Sequence, residues 1–483
     1  MTGIADVLLI SPLIVLFITS LIPLTIKVLR GNQEQPAIAT LVQALGGTLT
    51  SAVLLLVLAG YGSAAFSNTL FFDGISKWVG ALALIITAGA LILLYENAST
   101  KGDQFSEQIF LTLNSAIGML VLLSAVDLLT VFIGLEMMSL SLYMMIAISH
   151  EQKLSKEASI KYFVLGGVSS AIFLYGMAMV FGTTGSTFLP EVMEKMPTLA
   201  STNKLFLLGI ILMLLGFCFK VSIFPFHAWT PDVYQGAPTP ITAYMSTAVK
   251  AVSFAAFIRL MKTNVLLESE NILDILQWLA VLSMIVGNTA AILQNNFKRM
   301  LAYSSVAHSG YLLVGLITVG ITENYASAVS SVIFYLVGYA LMNFGALAVI
   351  TYFEKTENTQ VMVDDLGGLA HRRPLVALCL ALFLLSLAGI PPTIGFFGKF
   401  YLFSAAVGEG LIWLAIWGML NSVISVYYYL RPIVVMYMKE GQPQEVDGRI
   451  YFTKTAVAIS AFLVLILGLI SGPLIILFER SFS

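Results

Sequence analysis

Long apolar stretches follow one another down the chain, separated by short polar connections. A helix needs about 20 mostly apolar residues to cross a hydrocarbon core of roughly 30 Å. Fourteen stretches meet that need, near 7–28, 37–61, 75–95, 106–125, 128–149, 158–182, 203–236, 239–261, 272–294, 299–320, 325–352, 374–404, 410–438 and 453–478. Two of them, 203–236 and 374–404, are longer than one straight crossing. Each also contains proline: Pro225 in the first, Pro391 and Pro392 in the second. Proline removes a backbone donor and clashes with the preceding turn. Each of the two therefore reads as one discontinuous helix. The predicted fold class is an all-α integral membrane protein of about fourteen transmembrane helices.

Composition agrees with the pattern. Hydrophobic residues make up 58% of the chain and charged residues 10%, where soluble domains carry about 25% charged. The mean hydropathy is +0.93. A water-soluble enzyme is excluded, and a net charge of −2 offers no basic surface for nucleic acid. The two cysteines, Cys218 and Cys379, lie in apolar runs and read as small buried hydrophobes. The first 29 residues place Lys27 and Arg30 after the apolar run, the wrong order for a cleavable signal. There is no Gly-rich phosphate loop, no CxxC and no haem or iron–sulfur spacing, so the residues justify no redox cofactor within this chain.

Charge placement sets an orientation. With the N-terminus outside and the spans alternating, fourteen basic residues fall on the cytoplasmic side and six outside. That asymmetry is what the positive-inside rule expects. Both termini then face the outside. Four of the 24 basic residues remain within spans: Lys161, Lys220, Lys250 and Lys399. Among acids, Glu136 alone sits well inside one.

An ionisable group at mid-membrane depth costs roughly 3 kcal/mol or more and usually marks an ion or proton path. Burial favours a neutral lysine and a nearby carboxylate favours a charged one. Lys220, five residues before Pro225, is thus a candidate proton carrier biased by Glu136; a static Glu136–Lys220 pair is the competing reading. Lys250 lies too deep to snorkel and is a candidate central relay. Lys399 sits nearer a helix end and Lys161 only a few residues into its span, so snorkelling competes with function for both. His227 follows the first break and His308 lies mid-span among Ser304, Ser305 and Ser309. Either histidine could relay protons, or cap and pack. Asp232, in a turn rich in proline, reads as turn-stabilising. His150 and His371 read as ordinary surface residues.

The two broken spans are the seventh and the twelfth. If spans 4–8 and 9–13 are repeats, an odd number of helices inverts the second unit. Inverted repeats with a discontinuous helix in each are a transporter architecture. The expected division is 1–104 for three leading helices, 105–262 for the first repeat, 263–440 for the second, and 441–483 for the last helix.

The stretch HAWTPDVYQGAPTPITAYMSTAVKAV, with the buried residues in this order, resembles the antiporter-like subunits of respiratory complex I, the proton-pumping NADH:quinone oxidoreductase. It looks most like the branch called subunit N, or subunit 2 in mitochondria. The likeness runs from about Phe105 to Met438. It implies fourteen helices with two inverted five-helix repeats. It also carries the family's helix-5 glutamate onto Glu136, and its helix-6, -7, -8 and -12 lysines onto Lys161, Lys220, Lys250 and Lys399. By the resemblance, NADH, FMN, iron–sulfur clusters and quinone belong to other subunits of the complex. The partners implied are other membrane-arm subunits, the lipid bilayer and protons. The location implied is a bacterial inner (plasma) membrane, with a thylakoid membrane as the alternative. Mrp-type cation/proton antiporter subunits share the pattern and are the rival reading; a structural spacer is a third.

Overall fold

The computed structural model of the chain describes residues 4–58, 63–66, 68–97, 104–148, 153–261, 270–353, 360–441 and 451–482. Lys101, His150, Lys262, Lys355 and Arg449 lie outside the described residues. The chain runs through α1 (Ser11–Leu29), α2 (Ala37–Leu58), α3 (Gly74–Glu96), α4 (Phe105–Ser124), α5 (Leu128–Ile148) and α6 (Lys153–Thr184). It continues through α7 (Leu189–Thr202), α8 (Lys204–Lys220), α9 (Trp229–Gly236) and α10 (Thr239–Met261). Then come α11 (Glu270–Ile292), α12 (Phe297–Ile321), α13 (Tyr325–Ile350), α14 (Pro374–Ala388), α15 (Ile394–Gly408), α16 (Ile412–Met438), α17 (Tyr451–Leu469) and α18 (Ser471–Glu479). One small antiparallel hairpin, Ser63–Ala65 with Leu70–Phe72, joins α2 to α3, with Ser63 opposite Phe72.

Twelve described helices are each long and apolar enough to cross a membrane. They coincide with twelve of the fourteen predicted stretches. The other two stretches are the discontinuous ones. The first is α8 and α9 with the break at 221–228; the second is α14 and α15 with the break at 389–393. An amphipathic helix absent from the prediction, α7, meets α8 at a bend of 117°.

Both breaks use the same backbone device. Ser222 and Gly389 adopt positive φ, 61° and 89°. The next amide in each reaches back five residues: Ile223 to the Cys218 carbonyl and Ile390 to the Leu385 carbonyl, at 2.9 and 3.0 Å. This is the left-handed helix stop that satisfies terminal carbonyls. Glycine adopts it without penalty, whereas serine bears a steric cost. At the first break the Thr230 hydroxyl donates to the Ser222 hydroxyl at 2.7 Å and holds the turn. The peptide bonds before Pro225 and Pro392 are both cis.

Lipid offers no hydrophobic drive for one helix to meet another, so close backbone approach at small residues does that work. A Cβ on Gly118 of α4 would lie 2.5 Å from the Met138 amide nitrogen of α5, and one on Gly134 would lie 2.7 Å from the Leu122 nitrogen. The pair α11–α12 interlocks the same way. A Cβ on Gly287 would meet the Ala307 nitrogen at 2.5 Å, and one on Gly310 the Ala280 carbonyl at 2.8 Å. The centre of the bundle is formed by α10, α12 and α13, whose apolar stretches are almost wholly buried, while about a third or less of α1, α6 and α17 is buried along theirs.

Ion pairs gather at the two ends. Lys27, Glu34 and Glu107 meet at one end. Arg259 holds Asp73 at 2.8 Å at the other. Lys439 also pairs with Asp364, at 3.0 Å.

Candidate functional site

Five of the predicted residues, Glu136, Lys220, Lys250, His308 and Lys399, fall in four hydrogen-bonded groups. The first lies on α5. Glu136 accepts a short hydrogen bond from the Ser170 hydroxyl of α6. Ser139 and Tyr143 follow on the same face, three and seven residues on. The Lys220 amine donates to the Ser139 hydroxyl at 2.8 Å and to the Tyr143 hydroxyl at 3.4 Å. Glu136 and the two hydroxyls that hold Lys220 thus share one face of α5, with no direct ion pair between Glu136 and Lys220. The static pair weighed from the sequence does not form; Ser139 stands in the carboxylate's place.

Lys250 heads the second group. It is 2% exposed and follows a π-helical turn, Met245–Val249, within α10. Such turns open a helix locally and are frequent at functional sites. The Lys250 amine donates to both the carbonyl and the hydroxyl of Ser305 on α12. The Tyr339 hydroxyl of α13 donates to the same Ser305 hydroxyl at 2.9 Å, and Asn343 ties Tyr339 to Ser246. Ser309, one turn beyond Ser305, donates to the Val221 carbonyl at 2.5 Å. That carbonyl belongs to the first break, so α12 joins the break to Lys250.

His308 forms the third. Its Nδ1 is hydrogen-bonded to the Tyr335 hydroxyl at 2.6 Å and its Nε2 to the Tyr429 hydroxyl at 3.0 Å. Tyr429 in turn makes a short hydrogen bond with Ser304. Ser304 and Ser305 are neighbours in sequence, so the second and third groups meet on α12.

Lys399 forms the fourth. Its amine donates to the Leu387 and Ala388 carbonyls, each at 3.0 Å, and to the Ser422 hydroxyl at 2.8 Å. Those carbonyls end α14 at the second break. A helix C-terminus presents unpaired carbonyls and a partial negative charge, which suits a cation. The snorkelling alternative is removed, since the amine turns inward and the residue is 6% exposed. Lys399 also lies 5.2 Å from the centre of the Tyr311 ring, which packs edge-on against His308.

Lys220, Lys250 and Lys399 therefore share one feature. Each is buried, and none meets a carboxylate among the described residues. Their partners are hydroxyls, carbonyls and ring faces. Amines, hydroxyls and an imidazole so arranged can accept a proton on one side and donate one on the other.

Lys161 and His227 sit elsewhere. The Lys161 side chain is 41% exposed and pairs with Glu157 at 2.7 Å and Asp232 at 2.8 Å. Asp232 also binds Arg299 of α12 at 2.7 Å. Sequence reading gave Asp232 a turn; its place is a three-way junction of α6, α9 and α12. His227 lies half-buried beside Phe224 and Tyr303, and its Nδ1 is buried without a partner among the described residues. It touches none of the four groups. His371 is exposed, as read.

The residues that sequence reading missed are the hydroxyl partners: Ser139, Tyr143, Ser170, Tyr335, Tyr339, Ser422 and Tyr429. A signal existed for some. Ser139 and Tyr143 recur at helical spacing from Glu136, as do Tyr335, Tyr339 and Asn343 along α13.

A family profile described as "NADH:quinone oxidoreductase/Mrp antiporter, TM" matches residues 125–425. The chain is 61% identical over 479 residues to a Bdellovibrio bacteriovorus protein named NADH-quinone oxidoreductase subunit N, covering 99% of both chains. It aligns with a chain of respiratory complex I from Thermus thermophilus at a TM-score of 0.81 and 32% identity, covering 96% of this chain and 98% of that one. A chain of the Mrp complex from Dietzia aligns at 0.84 with 20% identity, covering 99% and 97%. The fold is thus common to both kinds of assembly, and the difference in identity separates them.

Proposed function

The chain belongs to the NADH:quinone oxidoreductase/Mrp antiporter transmembrane family, among the proteins named NADH-quinone oxidoreductase subunit N, and we propose that it carries protons across the membrane within such an oxidoreductase. It is a multi-pass membrane protein and works as one subunit of the enzyme complex. NADH, FMN, iron–sulfur clusters and quinone act in neighbouring subunits, and this chain supplies the proton path. Quinone reduction elsewhere supplies the drive, through changes of charge or conformation at the interfaces.

The path runs as follows. A proton arrives from the cytoplasm at Lys220, whose affinity responds to Glu136 one helical turn from its Ser139 partner. Ser309 and Ser305 lead to Lys250. Tyr339, Ser304 and the Tyr429–His308–Tyr335 bridge lead on toward Lys399, with water between the groups. Release is to the outside. A one-unit change in proton affinity corresponds to about 1.4 kcal/mol, so a modest change at Glu136 redirects a proton. Lys161 and His227 stand off this line. Lys161 serves the Asp232 junction, and His227 stands at the first break as a side station. The observation that carries the reading is that three amines and an imidazole are buried in the bundle on hydroxyl and carbonyl partners, with no carboxylate on any of them among the described residues.

Residues 105–262 and 263–440 form the two inverted repeats, with 1–104 and 441–483 outside them. Supporting this, Ser222-Ile223-Phe224-Pro225 and Gly389-Ile390-Pro391-Pro392 align residue for residue at the breaks. The glycine-locked pairs α4–α5 and α11–α12 then open the two units. The bacterial relatives favour a plasma membrane, with both termini on the periplasmic side. The test is Lys220→Ala in the assembled complex, measuring proton pumping and quinone reduction. Assembly with unchanged pumping removes Lys220 from the path.

A further inference from the structure

At the end of α14 away from Lys399, α13, α14 and α17 leave a cleft of about 540 Å³, at the end of the bundle where basic residues concentrate. Arg373 and Lys454 stand at its rim. The Arg373 guanidinium has no ion-pair or side-chain hydrogen-bond partner among the described residues. Lys454 is exposed and leans over the Tyr451 ring at 5.9 Å. Below them the walls are apolar: Leu375, 76% exposed, with Val376, Cys379 and Val457. Tyr352 also lines the cleft. It is 3% exposed, and its hydroxyl is buried without a partner among the described residues. A buried orphan hydroxyl costs about 1–3 kcal/mol, which a ligand oxygen would relieve. α14 begins here as well, bringing the positive end of a 15-residue helix to the rim. The nearby carboxylate, Glu96, is engaged by the Phe452 and Thr453 amides at 2.9 and 2.7 Å.

We propose that this cleft holds an anionic phospholipid, with its phosphate between Arg373 and Lys454 and an acyl chain along the apolar wall. Two cations beside the hydrocarbon boundary, over a greasy groove, match both halves of such a molecule. Basic pockets between transmembrane helices at this level recognise acidic headgroups. A zwitterionic lipid fills the groove equally well but meets two cations with no net charge. The Tyr352 hydroxyl donates to an oxygen of the glycerol ester region.

Cys379 is a native reporter, half-buried in the cleft wall, whereas Cys218 is fully buried. The purified complex is depleted of lipid, treated with a maleimide, and Cys379 modification in this chain is followed by peptide mass spectrometry. Phosphatidylglycerol should protect Cys379 saturably, about tenfold at ten times its Kd. Phosphatidylcholine with the same acyl chains should protect far less. The double variant Arg373→Gln/Lys454→Gln should label normally without lipid and lose the preference for phosphatidylglycerol. Equal protection by both lipids, or a preference that survives in the variant, overturns the proposal. Protection by inorganic phosphate alone assigns the site to a free anion and overturns it too. A Cys379 that stays unreactive in the lipid-depleted complex means that a partner subunit covers the cleft, and the proposal fails.

Discussion

Replacing His308 separates a proton relay from a packing bridge. Its two ring nitrogens hold Tyr335 and Tyr429 at 2.6 and 3.0 Å. His308→Phe breaks both contacts. Tyr429 keeps Ser304, but Tyr335 is left with no side-chain partner among the described residues. One orphaned buried hydroxyl costs about 1–3 kcal/mol, bearable within a folded stability of roughly 5–15 kcal/mol. His308→Gln is the sharper case. An amide offers one acceptor and one donor and can span both tyrosines, so stability should stay within about 1 kcal/mol of the parent. It cannot take up a proton at one end and release it at the other. Losing a positioned proton-transfer group slows transfer by about 100-fold or more. The assay is the assembled complex in proteoliposomes, reading protons moved per quinone reduced, with thermal unfolding alongside. Both variants should lower the ratio by the share this chain carries, and only the phenylalanine should lower the unfolding midpoint. A glutamine variant that pumps normally refutes the relay and leaves His308 a bridge between helices.

Other outcomes follow from the same geometry. Ser170→Ala removes the hydroxyl on Glu136 and should slow pumping at unchanged assembly, measured as the initial rate of acidification. Asp232→Asn weakens contacts to Lys161 and Arg299; the site is part-exposed, so the loss should be about 1 kcal/mol or less, read as a small fall in unfolding midpoint with pumping retained. A collapse of pumping at an unchanged midpoint would place Asp232 on the proton path. Gly118→Leu drives a side chain into the α5 backbone and should abolish assembly. Gly167→Ala, where nothing lies within 4 Å of the added carbon, should leave assembly intact.

The sequence exposes the spans because a bilayer demands length and apolarity of each helix independently of its neighbours. Pro225 and Pro391–Pro392 betrayed the breaks for the same local reason. The amphipathic α7 was hidden because its mixed composition reads as a polar connection. Lys220, Lys250 and Lys399 were legible since a buried amine among apolar residues is costly and conspicuous. Their partners were not. Ser139, Ser305 and Ser422 look ordinary in an apolar helix, where serine bonds readily to the preceding turn. Which hydroxyl faces which lysine depends on helix rotation across the bundle, which hydropathy does not encode. Asp232 shows the converse error. Its proline-rich setting suggested a local role, while its partners come from two distant helices.

The central claim is that one continuous line of buried groups carries the proton, and Lys250 is its middle member. Lys250→Met keeps the bulk of the side chain and removes the amine that bonds Ser305. The account predicts that the assembled variant reduces quinone under uncoupled conditions yet moves fewer protons per quinone in sealed vesicles. An unchanged proton ratio at full assembly would contradict it.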